Sequence, residues 1–117
     1  MPIFALEETE EVLPLPRALF RGSSLFALRV KGDSMIDDGI FDGDIAVLRS
    51  GPEFSDGDIA AVVVEEEDTL KRVFKTKRGL RLHAENPAHP DRHVASEQIK
   101  QSFRLADVLI GTIRRFT

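Results

Sequence analysis

Two similar phrases, fourteen positions apart, most strongly constrain how this chain can fold. Each reads Asp-Gly-Asp and runs at once into an apolar, partly β-branched segment, the first at residues 42–48 and the second at residues 56–64. Asp-Gly is a strong turn signal, and β-branched runs favour strands. Each phrase therefore predicts a turn that leads into a strand. The aspartates could instead bind a metal, but Asp and Gly are the ordinary residues of turns, so turn chemistry is preferred.

Alternation of apolar and polar residues predicts further strands. Phe26, Leu28 and Val30 are spaced two apart, the period of a half-buried strand, and the run stops at Gly32. The other candidates are residues 69–75 after an acidic reversal at 65–68, the short segment 80–82, and, after a polar loop, residues 102–105 and 107–116. Helical periodicity is weak, so the pattern predicts a mainly β fold of twisted antiparallel sheets, partly barrel-like.

The bulk composition narrows the function. A chain of 117 residues suits one domain, and the absence of cysteine excludes disulfides, thiolate zinc sites and cysteine nucleophiles. Lys and Arg number 16 against 20 Asp and Glu, a formal charge of -4, which disfavours nucleic acid as a direct ligand. No apolar run approaches the roughly 20 residues that span a bilayer. A cytoplasmic protein without membrane contact is expected.

The three histidines do not form an evident site. His89 and His93 have the i, i+4 spacing of helical metal ligands, but Pro90 argues against a helix there, and no carboxylate pattern completes a metalloprotease signature. Nothing indicates which histidine, if any, would reach a serine nucleophile. His83, His89 and His93 are therefore expected at the surface, and neither a metal nor another cofactor is expected.

Ser34 is the most informative single residue. With Asp37 it fits the S-x-x-[DE] capping pattern, so its hydroxyl could cap a short helix, or it could be a nucleophile if a base can be named. A lysine could serve, but its reference pKa of about 10.4 requires apolar surroundings to keep it neutral. Lys71, beside Leu70, has such surroundings, whereas Lys75 and Lys77 lie nearer a polar segment and are expected in solvent.

The phrases around these two residues resemble a known family. They are a Gly-x-Ser-Met phrase at residues 32–35, the acidic turn and Asp-Gly-Asp strand start, and a Thr-Leu-Lys-Arg phrase that begins 35 positions beyond the serine. Over residues 12–116 the chain resembles the C-terminal domain of LexA-type repressors and their relative UmuD, the self-cleaving Ser-Lys peptidases of the bacterial DNA-damage response. The resemblance implies a β fold of the LexA and signal-peptidase type.

The resemblance also implies residue roles and partners. Ser34 would be the nucleophile, Lys71 the general base, and the backbone amides of Asp33 and Ser34 the oxyanion hole. The family cuts an Ala-Gly or Cys-Gly bond in its own chain, promoted by the RecA filament on single-stranded DNA. Family members pair through C-terminal strands, and DNA would be bound only through an N-terminal domain. In the last strand Val108, Ile110 and Thr112 would form one face and Leu109, Gly111 and Ile113 the other; the alternative is a strand buried in its own monomer.

Two departures from the family pattern bear on activity. No Ala-Gly or Cys-Gly pair occurs in the 117 residues, and the basic winged helix-turn-helix of the repressors is missing.

Residues 1–16 are expected to form an extended arm or an edge strand, because they contain Pro14 and Pro16. Residues 1–12 are expected to be the remnant of the cleavage-site arm, with Met1 in place of the residues at the cut. Residues 13–117 would be a single peptidase and dimerisation domain that cuts only in trans.

Three other assignments remain open at the level of sequence. The chain could be a processed UmuD-like subunit of a translesion polymerase or the C-terminal domain of a phage repressor. It could also be an interaction module whose Ser-Lys pair is idle.

Overall fold

The computed structural model describes residues 3–5, 12–14, 25–49, 54–64, 67–96, 104–114 and 116. They form nine β-strands and one turn of 3-10 helix, Ile36–Asp38. The strands are β1 (Ile3–Ala5), β2 (Val12–Pro14), β3 (Leu25–Arg29), β4 (Ile45–Arg49), β5 (Ile59–Val64), β6 (Glu67–Thr76), β7 (Gly79–His83), β8 (Arg92–Ala95) and β9 (Arg104–Ile113).

Seven of these strands form one antiparallel sheet, which curls into a half-barrel in the order β3-β4-β9-β5-β6-β7-β8. Strands β1 and β2 pair separately with each other. The prediction of a mainly β, partly barrel-like fold is confirmed. Among the described residues, no helix is long and apolar enough to cross a membrane.

The strand boundaries differ from the prediction in several places. Strand β6 begins at Glu67, inside the predicted acidic reversal at residues 65–68, and the single strand β9 replaces the two predicted segments 102–105 and 107–116. Strand β3 ends at Arg29, two residues earlier than the alternation suggested. Strand β8 was predicted as part of a polar loop, which is wrong. Only Val94 of its four residues is buried, so this edge strand carries almost no apolar pattern. Within the predicted strand 102–105, Ser102 and Phe103 lie outside the described residues, as do the acidic residues of the N-terminal arm.

Both Asp-Gly-Asp phrases are turns, as predicted, and both close in the same way. The Asp44 carboxylate accepts a hydrogen bond from the backbone N–H of Phe41 at 2.9 Å, and the Asp58 carboxylate accepts one from Ser55 at 2.8 Å. The glycine before each aspartate has a positive φ, 89° at Gly43, a conformation that side chains with a Cβ rarely adopt. Each of the two carboxylates therefore binds a backbone N–H of its own turn, which is the turn chemistry that the sequence predicted.

Apolar clusters cover both faces of the sheet. Because successive residues of a strand point to opposite faces, Ile45 and Ala46 of β4 belong to different clusters. The largest cluster comprises Ala60, Val62, Val64, Val73, Leu80, Leu82 and Val94. A small one joins Ala27, Ile45 and Ile113, and a third joins Ala46, Leu48 and Ala61 with the half-buried Leu28, Val30, Leu70 and Leu109 among its neighbours. The third cluster borders the candidate site.

A β-bulge in β9 changes which side chains share a face. Ile110 takes no partner in β4, although Gly111 and Leu109 on either side of it do. One extra residue reverses the alternation along a strand. Leu109 therefore packs in the third cluster while Ile113 packs on the opposite face with Ile45. The predicted division of residues 108–113 into two strictly alternating faces is wrong for this reason.

An ion pair between the exposed Arg114 and the buried Asp44 ties the end of β9 to the first Asp-Gly-Asp turn. Arg114 donates to both carboxylate oxygens of Asp44, at 2.6 and 2.7 Å, and also to the carbonyl of Gly39 at 2.8 Å. Only 2 % of Asp44 is exposed. The hydrogen bonds from Arg114 lower the pKa of the Asp44 carboxyl below its ordinary value, against the opposing effect of burial. Asp44 is thus held ionised inside the fold.

Replacing Arg114 by Met should lower the free energy of unfolding, because the buried Asp44 carboxylate loses its donor. Urea denaturation measures the change, and Lys77→Met, at an exposed position, is the control. A lowered pKa means that the stabilisation is present above the ordinary pKa of Asp44 and is lost as the pH falls below about 4. A difference between wild type and Arg114→Met that stays constant through the acid range would contradict this account.

Candidate active site

The fold brings Ser34 and Lys71 together. The Nζ atom of Lys71 lies 3.0 Å from the Oγ atom of Ser34 and donates a hydrogen bond to it. Ser34 follows β3 in the turn before the 3-10 helix, and Lys71 lies in β6 beside its β5 partner Ala60. Both side chains are partly buried. The two residues that the sequence singled out as nucleophile and base are therefore in direct contact.

Met35 anchors the turn that carries Ser34. Its side chain is 1 % exposed, and its sulfur accepts a weak hydrogen bond from the backbone N–H of Glu85 at 3.5 Å. The apolar residue that follows Ser34 is thus buried while Ser34 itself faces Lys71. This explains why the Ser-Met pair occurs as a unit at the end of a strand.

Ser34 is not a helix cap, so the capping interpretation is wrong. The 3-10 helix begins after Met35, which occupies the N-cap position and makes no side-chain capping bond. The Ser34 hydroxyl instead donates to the carbonyl of Leu70 at 3.4 Å while it accepts from Lys71. Its hydrogen bonds are directed at strand β6.

Two further oxygen atoms orient the Lys71 amine. Its Nζ lies 2.6 Å from Oγ1 of Thr69 and 3.3 Å from the carbonyl oxygen of Leu70. Thr69 was not predicted from the sequence, although its position two residues before Lys71 places both side chains on the same face of a strand. Lys75 and Lys77 are exposed, as predicted.

The Ser34–Lys71 pair opens onto a cleft with an apolar wall. One side of the cleft is the turn of residues 32–35, and another is the β6 segment 69–71. The apolar residues that line it include Leu28, Val30, Ala46, Leu48, Ala61 and Leu70. An extended peptide laid along this wall would bring a backbone carbonyl to the serine. Among the described residues, no group of three or more His, Asp or Glu side chains is arranged to hold a metal ion.

One histidine lies closer to the site than the sequence suggested. His89 Nε2 is 2.7 Å from a carboxylate oxygen of Asp33, the residue before Ser34, and His89 lines the same cleft. Its side chain is 42 % exposed. His93 is exposed, and the His83 side chain, which contacts Asp91 at 2.6 Å, is 39 % exposed, so these two lie at the surface, as expected.

The His89 contact changes the acidity of Asp33. Its hydrogen bond lowers the pKa of the Asp33 carboxyl below the ordinary value, and its charge contributes in the same direction. The Asp33 side chain is 62 % exposed, so the contact with His89 contributes little to the free energy of unfolding. The lowered pKa keeps the Asp33 carboxylate negatively charged beside the proposed oxyanion donors.

Comparison with known families assigns the chain to a class. The Peptidase S24-like family model matches residues 1–105. The match covers most of the chain, so this chain belongs to the Peptidase S24-like family.

Individual relatives are more specific. The chain is 41% identical over 118 residues to the LexA repressor of Ruegeria sp. (strain TM1040), a match that covers 99% of this chain and 47% of that protein. It is 45% identical over 87 residues to the LexA repressor of Halalkalibacterium halodurans, covering 74% and 42%. For the LexA repressor of Caldicellulosiruptor saccharolyticus the identity is 40% over 114 residues, covering 97% and 54%. The chain thus spans about half the length of these curated relatives, and the predicted resemblance to the C-terminal domain of LexA-type repressors is confirmed.

Replacing His89 by Ala should raise the pKa of the Asp33 carboxyl toward its ordinary value, because the hydrogen bond that favours the carboxylate is lost. NMR titration of the Asp33 side-chain carboxyl carbon measures this directly. His93→Ala, at an exposed position in β8, is the matched control. An Asp33 titration that is the same in wild type and His89→Ala would show that the contact does not persist in solution.

Proposed function

We propose that this chain is the autoproteolysis and dimerisation domain of a LexA-type repressor of the DNA-damage response. The observation that carries the proposal is the 3.0 Å contact between Lys71 Nζ and Ser34 Oγ in a member of the Peptidase S24-like family. A serine hydroxyl is a weak nucleophile until a base removes its proton, and among the described residues Lys71 is the amine in contact with Ser34.

The mechanism follows from this pair. Lys71 in its neutral form takes the proton of Ser34 as the hydroxyl oxygen attacks the carbonyl carbon of a peptide bond. The carbonyl oxygen becomes an oxyanion, which the backbone amides of Asp33 and Ser34 stabilise. The C–N bond then breaks, and Lys71 returns the proton to the leaving amine. Water hydrolyses the acyl-serine ester, with Lys71 again acting as base.

Thr69 and the carbonyl of Leu70 act on Lys71 in this scheme. Three oxygen atoms, including that of Ser34, lie within 3.3 Å of Nζ and fix the direction of the amine. The neutral amine has two N–H bonds and one lone pair. With the N–H bonds donated to Thr69 and Leu70, the lone pair is left for the Ser34 hydroxyl, and a base positioned in this way needs no search before proton transfer. Thr69 is thus a positioning residue in the proposed mechanism.

The proposed substrate is a peptide segment with an Ala-Gly or Cys-Gly bond. The family resemblance supports this choice, and the apolar wall of the cleft suits the small and aliphatic residues around such a bond. The 117 residues contain neither pair, so the segment must be supplied from outside them. Residues 1–12 are proposed to follow the scissile bond, and residues 13–117 to form the peptidase and dimerisation domain.

RecA filaments are proposed to stimulate the reaction in the parent protein. DNA contact is proposed to belong to a separate N-terminal domain, since the formal charge of −4 does not suit phosphate binding.

Cleavage in trans tests the proposal. The substrate is a polypeptide that carries Ala-Gly ahead of the sequence of residues 2–5, and the product is measured by mass spectrometry. Wild type should cut at Ala-Gly, faster at alkaline pH because more Lys71 is neutral. Ser34→Ala and Lys71→Met should each lower the rate at least about 1,000-fold, because the two residues act as a unit.

The matched control is Lys75→Met, which removes an exposed lysine four positions further along β6. It should cleave like wild type. A wild-type chain that leaves this substrate intact at pH values where lysine is substantially neutral would contradict the proposed function. Equal cleavage by Lys71→Met would leave Ser34 without its proposed base and would favour the idle-pair alternative.

We also propose that two copies of the chain pair through β9. The first part of β9, up to Val108, pairs with β5, whereas Val108 to Ile113 pair with β4. Within the described residues, no strand pairs with the second edge of residues 109–113. A Cβ at Gly111 would meet no atom within 4 Å, and Phe116 just beyond is 86 % exposed. An unpaired edge beside an exposed aromatic residue favours pairing with a second copy.

Analytical ultracentrifugation should find a dimer at micromolar concentration. Phe116→Asp should weaken the association by about 10-fold or more, because it places two like charges beside the two-fold contact. Lys77→Asp, at an exposed position in the β6–β7 turn, should leave the association unchanged. Wild type that sediments only as a monomer would contradict the proposed pairing.

A further inference from the structure

The loop between β7 and β8, residues 84–91, is bonded to the turn that carries Ser34. Besides the His89–Asp33 contact, three hydrogen bonds join the two segments. The backbone N–H of Asp37 donates to the carbonyl of Glu85 at 2.9 Å, the N–H of Glu85 donates to the Met35 sulfur at 3.5 Å, and the Asn86 side chain donates to the carbonyl of Asp33 at 2.9 Å. The third bond lies directly beside the proposed nucleophile.

The Asn86 side chain is fixed in one orientation by its own loop. Asn86 is 8 % exposed, and its Oδ1 accepts a hydrogen bond from the backbone N–H of Ala88 at 3.0 Å. The N–H of His89 also closes the turn by donating to the Asn86 carbonyl at 3.0 Å. An oxygen must face the Ala88 N–H and an NH2 group must face the Asp33 carbonyl, so a flipped amide would lose both bonds. The Asn86 donor is therefore aimed at Asp33 by contacts within its own loop.

The bond to the Asp33 carbonyl determines the direction of an amide of the site. The Asp33 carbonyl and the Ser34 N–H belong to the same peptide group, which is trans, so the two bonds point in opposite directions. The carbonyl is held by Asn86 and also accepts a bond from the N–H of Ile36 at 3.3 Å. Fixing this oxygen fixes the peptide plane, and the Ser34 N–H is held pointing away from Asn86.

We infer that Asn86 is a positioning residue for the oxyanion hole: its Nδ2 sets the peptide between Asp33 and Ser34 so that the Ser34 N–H faces the oxyanion. The inference rests on the proposed function, because it takes Ser34 as the nucleophile. A donor that is already oriented requires no reorganisation when negative charge develops on the substrate oxygen. Asn86 acts through this peptide group and does not touch the substrate.

The variant Asn86→Asp separates this role from the structure of the loop. Aspartate keeps an oxygen for the Ala88 N–H but presents an acceptor, instead of a donor, to the Asp33 carbonyl. In trans cleavage, kcat should fall about 100-fold while KM stays nearly unchanged. A misdirected amide stabilises the oxyanion of the transition state less but does not change binding of the substrate. In Asn86→Ala, which loses both bonds, kcat should fall at least as far. This second variant is used if Asn86→Asp does not fold.

The matched control is Asp91→Asn, the reverse exchange of carboxylate and amide in the same loop. Asp91 contacts Arg81 and His83, so this variant should keep the kcat of wild type. A spectroscopic measurement that needs no substrate completes the test. The carbonyl 13C resonance of Asp33 should move upfield in Asn86→Asp and stay in place in Asp91→Asn, since a carbonyl that loses a donor is less polarised.

The outcomes distinguish this inference from the function on which it rests. A wild-type chain that cleaves nothing contradicts the proposed function, and the Asp33 resonance then still tests whether Asn86 holds the peptide. A wild-type chain that cleaves, together with a folded Asn86→Asp of equal kcat, overturns the inference alone. A loss confined to KM, an unchanged Asp33 carbonyl resonance, or an equal loss in Asp91→Asn would overturn it as well.

Discussion

The hydrogen bond between the Lys71 amine and the Ser34 hydroxyl defines the candidate site. Lys71 and Ser34 lie 37 positions apart and come within 3.0 Å of each other. A lysine amine in water is charged near neutral pH and cannot accept a proton. The apolar residues of the third cluster border the pair, and β6 supplies Thr69 and the Leu70 carbonyl as further partners for the amine. The curled sheet thus provides both the shelter and the direction that a basic lysine requires.

The turn that carries Ser34 is held from two sides. Met35 is buried beneath it, and the β7–β8 loop bonds to it through Glu85 and Asn86. A serine on a turn without these contacts would sample many orientations, and restricting it to one of them would cost conformational entropy. Arg72, the neighbour of Lys71 in β6, pairs with both Asp38 and Glu85 at 2.9 Å. The strand that carries Lys71 is therefore tied to the turn that carries Ser34.

Local patterns in the sequence predicted much of this arrangement. The Asp-Gly-Asp phrases predicted their turns because the carboxylate and the backbone amide that it holds lie only three residues apart. The pairing of Ser34 with Lys71 came from the family resemblance, since alternation alone cannot say which lysine lies beside which serine.

Strand β8 was not predicted because a short edge strand with one buried side chain has no period to detect. The bulge at Ile110 was not predicted because an inserted residue has no sequence pattern of its own. It reversed the faces of β9. Asn86 and His89 lie more than 50 positions from Asp33, and only the fold shows that they contact it.

Whether Lys71 activates Ser34 can be measured by the reactivity of Ser34 toward a reagent that acylates or phosphonylates activated serines. Intact-mass measurement follows the adduct, and peptide mapping locates it. The account predicts one adduct, on Ser34, that forms faster as the pH rises and forms at least about 1,000-fold more slowly in Lys71→Met. Equal labelling of wild type and Lys71→Met, or labelling spread over several serines, would show that Lys71 does not activate Ser34 and would contradict the account.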